Sequence, residues 1–123
     1  MESILWHAYK MGYGEGSKIT NQYQDCVVAL LCAQPGDDGK IERIVNGTLD
    51  YHASRGSPKR SLVLFPFAHV SANVAPPGQA QEVLDAIFER IKGKGVDVHM
   101  APFGTDKRIN LETIAGSDAY RNY

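Results

Sequence analysis

Residues 61–100 read SLVLFPFAHVSANVAPPGQAQEVLDAIFERIKGKGVDVHM, and this stretch decides the fold. Ser61 to Phe67 is an apolar run of strand length, of the kind that is buried on both faces. Beyond it, Ala80, Val83, Leu84, Ile87 and Ile91 recur at helical spacing. Pro76 and Pro77 stand before that helix, and Gly93 and Gly95 stand at its end, where left-handed caps are wanted. Val96 to Met100 then alternates as a strand does. Strand, helix and strand in succession, with the strands apolar, point to an α/β domain rather than an all-helical or all-β one.

Upstream, Cys26 to Ala33 reads Cys-Val-Val-Ala-Leu-Leu-Cys-Ala and suits a buried central strand. Residues 40–54 carry Ile41, Ile44, Val45, Leu49 and Ala53 on one face, which predicts an amphipathic helix in spite of Gly47. Ile4 to His7 reads as a short first strand, followed by a flexible loop at Gly12-Tyr-Gly-Glu-Gly16. Downstream, Ala101-Pro-Phe-Gly104 is a turn, and Lys107 to Ile114 alternates again with Ile109 and Leu111 on one face. The expected order is therefore β-β-α-β-α-β-β, one mixed sheet with two main helices. Gln34-Pro-Gly-Asp-Asp-Gly39 and Gly56-Ser-Pro-Lys59 are turns of ordinary length, so residues 1–123 form one domain.

A chain of 123 residues lies within the usual span of a single domain and buries enough surface to need neither disulfide nor structural metal. Cys26 and Cys32 fall on the same side of one strand about 20 Å apart at ~3.3 Å per residue, too far to bridge. Two buried thiols fit a reducing compartment, and the absence of a basic, apolar leader or a long apolar run predicts a cytoplasmic protein that does not enter a membrane. A formal net charge of −1 argues against binding along many phosphates. Local contact with the end of a nucleic acid is compatible with it, since small basic groups occur at Arg55, Lys59 and Arg60, at Lys92 and Lys94, and at Lys107 and Arg108.

Candidate chemistry collects at two strand exits, Pro66-Phe67-Ala68-His69-Val70-Ser71 and Ala101-Pro102-Phe103-Gly104. In α/β sheets ligands gather at the carboxyl ends of strands, where backbone groups are released from the ladder. Proline beside phenylalanine fixes the backbone and supplies an apolar wall, and His69 adds a group that titrates near neutrality. Other patterns are weaker. The glycines at 12–16 lack phosphate-loop spacing, and Ser71 lacks the nucleophile elbow and is expected to stabilise the turn after His69. Four histidines and two cysteines show no zinc spacing, so no metal and no cofactor is expected. Asn46-Gly47-Thr48 matches a glycosylation acceptor in letters only.

The two exits together resemble the N-terminal editing domain of archaeal threonyl-tRNA synthetase. That family has a strand ending Pro-Phe-Ala-His-(Leu)-Ser, a helix after a proline, and a strand ending Ala-Pro-Phe-Gly followed by Tyr-Tyr-Lys. Trp6-His7-Ala8-Tyr9 is similar to the family's opening strand, so the resemblance runs through nearly the whole chain. It implies the fold of D-aminoacyl-tRNA deacylases, a homodimer, and hydrolysis of serine from threonine tRNA by a domain that is freestanding or attached to the catalytic part of the synthetase. It also implies that Lys107 and His69 are catalytic, and that Ala68, Phe103, Pro102, Gly104, Asp106 and Ala33 bind the 3′ end of the tRNA carrying serine. The chain departs from the family pattern at Thr105 and Asp106, where the family has tyrosines, and at Tyr120, where the family has a glutamate; Asp118 is the nearest carboxylate. The same fold also admits a D-aminoacyl-tRNA deacylase or a non-catalytic module that binds a tRNA end or dimerises.

Overall fold

A computed structural model describes residues 1–56 and 59–123. The turn expected at Gly56–Lys59 lies in part outside the described residues. The chain forms strands β1 (Glu2–Gly14), β2 (Asn21–Cys32), β3 (Leu62–Pro66), β4 (Val98–Met100), β5 (Arg108–Thr113) and β6 (Ala119–Asn122). Helix α1 (Ile41–Tyr51) lies between β2 and β3, and α2 (Pro77–Gly93) between β3 and β4. The sheet runs β4-β3-β2-β1-β5, with β6 also paired to β1. The pairs β2–β3 and β3–β4 are parallel and the others antiparallel, so the sheet is mixed.

The parallel strands are apolar on both faces because both faces are covered. Val27, Ala29 and Leu31 of β2 and Leu62 and Leu64 of β3 face the helices, where they meet Ile44, Val45, Val83, Leu84, Ile87 and Ile91. Each fully buried aliphatic side chain there contributes about 1.5–3 kcal/mol of transfer free energy. On the reverse face, Cys26, Val28, Leu30, Val63 and Phe65 share a second core with Met11 and Tyr13. Tyr13 and Phe65 lie on strands that are not neighbours, yet their rings are 5.9 Å apart, because the sheet curls and the far half of the β1–β2 hairpin folds over β3.

That hairpin is longer than its sequence suggests. Gly12-Tyr-Gly14, expected in a loop, completes β1, and β2 starts at Asn21 instead of Cys26. The loop was expected because glycine weakens strands, but Gly14 is required by close approach: a Cβ there would run into the Lys18 carbonyl and stand 2.8 Å from the Thr20 nitrogen. The inward-facing set also changes parity midway, from Ala8 to Met11 and Tyr13 on β1. The switch coincides with a bulge between Ala8 and Lys10 and with Asp25, whose φ is +49°.

The remaining elements occur in the expected order, with β6 added at the end. Pro77 occupies the first turn of α2, where its missing N–H is no loss, and Gly95 closes the helix at φ +80°. Cys26 and Cys32 are both free and buried on the same side of β2. Among the described residues, no helix is long and apolar enough to cross a membrane.

Candidate active site

The carboxyl ends of β2, β3 and β4 open on a cleft of about 520 Å³, closed on one side by the start of α2 and on another by residues 103–107. Ala33 and Cys32 contribute its wall at the end of β2, and Ala68 and His69 line it from the β3 exit. Phe103, Gly104, Asp106 and Lys107 line it from the β4 exit. Pro102 is not part of the lining; its carbonyl accepts a hydrogen bond from Lys107. A second concavity of about 450 Å³ lies on β1, β2 and β5, between Lys10, Gly12, Gln22, Gln24, Asn110 and Glu112, and among the described residues has no histidine or cysteine in its wall.

Lys107 sits just past a turn that Gly104 makes possible at φ +83°. Its ammonium donates to the Pro102 carbonyl, to the Thr105 carbonyl at 2.7 Å and to Thr105 Oγ1 at 3.3 Å. It also lies 5.6 Å from the centre of the Phe65 ring, a cation–π contact. Burial lowers its pKa from the ordinary lysine value, while the charges of Glu15 and Asp106 oppose that shift. Three donors with three acceptors hold the positive charge at the cleft wall.

His69 is presented by a single 3-10 turn, Ala68–Val70, directly after β3. Its ring meets Phe67 edge-on at 5.4 Å and, among the described residues, has no hydrogen-bond partner, so both ring nitrogens are available to a ligand. Ser71 Oγ accepts from the Asn73 amide at 3.0 Å, which stabilises the turn as expected. Three contributors escaped sequence reasoning: Cys32, whose Sγ is 3.6 Å from the Ala68 carbonyl and whose thiol pKa burial pushes up; Thr105; and Val74, an exposed apolar lip. Cys32 and Val74 reach the cleft only through the fold, whereas the contact of Thr105 with Lys107 is local, two residues apart.

Other residues named in the comparison with the family pattern lie elsewhere. His7 points away from the cleft, its Nε2 2.8 Å from Asp25 Oδ1, which also accepts from Arg60 Nε at 2.8 Å. Tyr120 is exposed on β6, and Asp118 is outside the lining, so Asp106 is the one carboxylate among the described residues of the cleft wall.

The fold is that of D-aminoacyl-tRNA deacylases. A solved structure titled as a probable eukaryotic D-amino acid tRNA deacylase superposes with a TM-score of 0.77 over 98% of this chain and 97% of that one, at 10% identity. A second, titled c-Myc DNA Unwinding Element Binding Protein, gives 0.84 over 100% and 99%, at 11% identity. The chain belongs to the archaea-specific editing domain family of threonyl-tRNA synthetase, whose model matches residues 1–118. A threonine–tRNA ligase of Staphylothermus marinus is 30% identical over 126 residues, covering 91% of this chain and 20% of that protein. The threonine–tRNA ligase editing subunit of Saccharolobus solfataricus is 30% identical over 91 residues, covering 73% of this chain and 23% of that protein. The chain thus spans about a fifth of the length of these relatives.

Proposed function

We propose that this domain hydrolyses serine from threonine tRNA in the cleft between the β3 and β4 exits. The observation that carries the reading is that His69 and Lys107, far apart in sequence, line one cleft in a chain of the editing family. Water adds to the ester carbonyl, the tetrahedral oxyanion collapses, and the bond to the ribose oxygen breaks. The ribose oxygen takes up a proton, leaving free serine and tRNA. The Lys107 charge stabilises the oxyanion through space, its three donors being engaged by Pro102 and Thr105, and backbone N–H groups of the 103–106 turn hold the water. His69 orients the terminal ribose, and the tRNA's own 2′-hydroxyl assists. Ala68 and Phe103 line the aminoacyl pocket.

The need for such a site is physical. A synthetic site for threonine rejects serine weakly, because one methyl changes binding by only about 1–3 kcal/mol, and a second, hydrolytic sieve makes up the difference. Small side chains at Cys32, Ala33 and Ala68 leave space for serine, and Phe103 restricts it. The domain acts in the cytoplasm, either freestanding or beside the catalytic part of the synthetase, as a homodimer that covers exposed sheet edges. Light scattering at tens of micromolar, roughly the concentration that populates a weak dimer, checks the last point. A monomer alone would contradict it.

The test of the reading is direct: incubate the protein with Ser-tRNA(Thr), Thr-tRNA(Thr) and a D-aminoacyl-tRNA and follow ester loss. Loss of the serine ester is expected. Loss of the D-aminoacyl ester alone would make the protein a D-aminoacyl-tRNA deacylase, and loss of none would leave a non-catalytic module that binds a tRNA end.

A further inference from the structure

The loop that carries His69 leaves β3 at Phe67 and reaches α2 after Ala75. Its two ends are fixed by backbone bonds to the end of β2, from the Phe67 amide to the Leu31 carbonyl at 2.8 Å and from the Ala75 amide to the Ala33 carbonyl at 2.9 Å. Between them His69 contributes no hydrogen bond, and Ala72 and Asn73 are exposed. Two side chains reach the loop from β2 and its extension. Cys32 Sγ meets the Ala68 carbonyl at 3.6 Å, a weak contact, and Gln34 Nε2 donates to Ser71 Oγ at 3.0 Å. Gln34 is itself a fixed post, since its backbone amide donates at 2.7 Å to the carboxylate of the fully buried Asp37.

We propose that Gln34 and Ser71 are positioning residues for His69. Asp37 fixes Gln34, Gln34 fixes the Ser71 hydroxyl, and that hydroxyl also takes the Asn73 amide, closing the turn two residues after the imidazole. The bond spans 37 residues of sequence and ties the β3 exit to the cleft wall built by Cys32 and Ala33. Without it, the middle of the loop is tied to β2 only by the Cys32 thiol, and the imidazole can shift within the cleft. Oriented reactions are sensitive to such shifts, because misplacement by about an ångström lowers rates sharply.

The kinetic part of this inference rests on the editing reading. Single-turnover hydrolysis of Ser-tRNA(Thr) is compared for the wild-type protein, Gln34→Met, Ser71→Ala, the double variant and Ser71→Thr. Gln34→Met loses one neutral hydrogen bond and should lower the limiting rate constant about threefold to tenfold, and Ser71→Ala, which also loses the bond from the Asn73 amide, should lower it at least as much. The protein concentration giving half the limiting rate should move less than about twofold, since binding determinants elsewhere are intact. The double variant should fall no further than Ser71→Ala alone, and Ser71→Thr, which keeps the hydroxyl, should return the rate. Wild-type rates in both Gln34→Met and Ser71→Ala would overturn the proposal.

A second readout separates this outcome from failure of the editing reading. If the wild-type protein cleaves no ester, the editing reading fails, and the imidazole Cε1–Hε1 resonance of His69 decides the positioning claim. It should shift and broaden in Gln34→Met and Ser71→Ala and recover in Ser71→Thr. A resonance unchanged in all variants would refute the positioning role.

Discussion

The two strand exits that meet at the cleft are held in opposite ways. At the β3 exit the proposed functional side chain, His69, makes no hydrogen bond among the described residues: residues 67–75 are held by backbone bonds to Leu31 and Ala33, by the Gln34–Ser71 contact and by the Cys32 thiol. At the β4 exit the proposed functional side chain is itself the support, because the Lys107 ammonium gathers the Pro102 and Thr105 oxygens into one turn. On the proposed reading, the difference teaches that chemistry and loop order are separable at His69 and joined at Lys107. A single substitution therefore means different things at the two places.

The largest expected effect is at Lys107→Met, which removes the charge and the three donated bonds together. The deacylation rate should fall about 100- to 1000-fold, the usual scale for loss of an electrostatic contact to a developing oxyanion. Backbone order in residues 103–107, read by nitrogen-15 relaxation, should fall as well, while the melting transition stays cooperative, since Lys107 belongs to neither core and touches one only through the Phe65 ring. Unchanged turnover would make Lys107 a structural residue alone.

His69→Ala should lower the rate about 10- to 100-fold through loss of orientation, yet leave amide exchange in residues 67–75 as in the wild type. Faster exchange there would remove the contrast between the exits.

Asp106→Asn should give the smallest effect, less than about twofold at neutral pH, since exposed charge pairs are worth little. The carboxylate favours the Lys107 ammonium, whereas burial disfavours it. An activity that needs the ammonium is present below its pKa and lost as pH rises through it. Removing the carboxylate therefore moves the alkaline limb of the pH profile to lower pH; a limb that moves upward would contradict this assignment.

Much of the helix-backed half was legible in the sequence. The five apolar positions marking α2 are all buried, and the run from Cys26 to Ala33 is buried throughout, because local periodicity and burial agree there. The far hairpin was not legible. Its glycines and the polar run Asn21-Gln-Tyr-Gln-Asp25 lack strand character, the parity switch near Tyr9 and Asp25 breaks the period, and the burial of Tyr13 depends on Phe65, 52 residues away (65 minus 13). Strand β6 was missed for a related reason: Tyr120, Arg121 and Asn122 are exposed, so no pattern of burial announces it.

At the site, the exit motifs marked His69 and Lys107, and the structure places both on one cleft. What holds them was hidden. Gln34 meets Ser71 only through the adjacency of β2 and the β3 exit, and Lys107 meets the Pro102 carbonyl across the turn that Gly104 makes. The family's tyrosines do not mark these roles, since Thr105 acts here through its own carbonyl and hydroxyl.

The central claim, a hydrolytic site shaped for serine, is tested most directly by the ratio of first-order rate constants for Ser-tRNA(Thr) and Thr-tRNA(Thr) on the wild-type protein. The two esters have the same intrinsic chemistry, so a ratio above one reports the cleft's shape. Forcing in an extra methyl typically costs about 1–3 kcal/mol, which predicts a preference for the serine ester of roughly 5- to 150-fold. Equal rates for the two esters would contradict the claim.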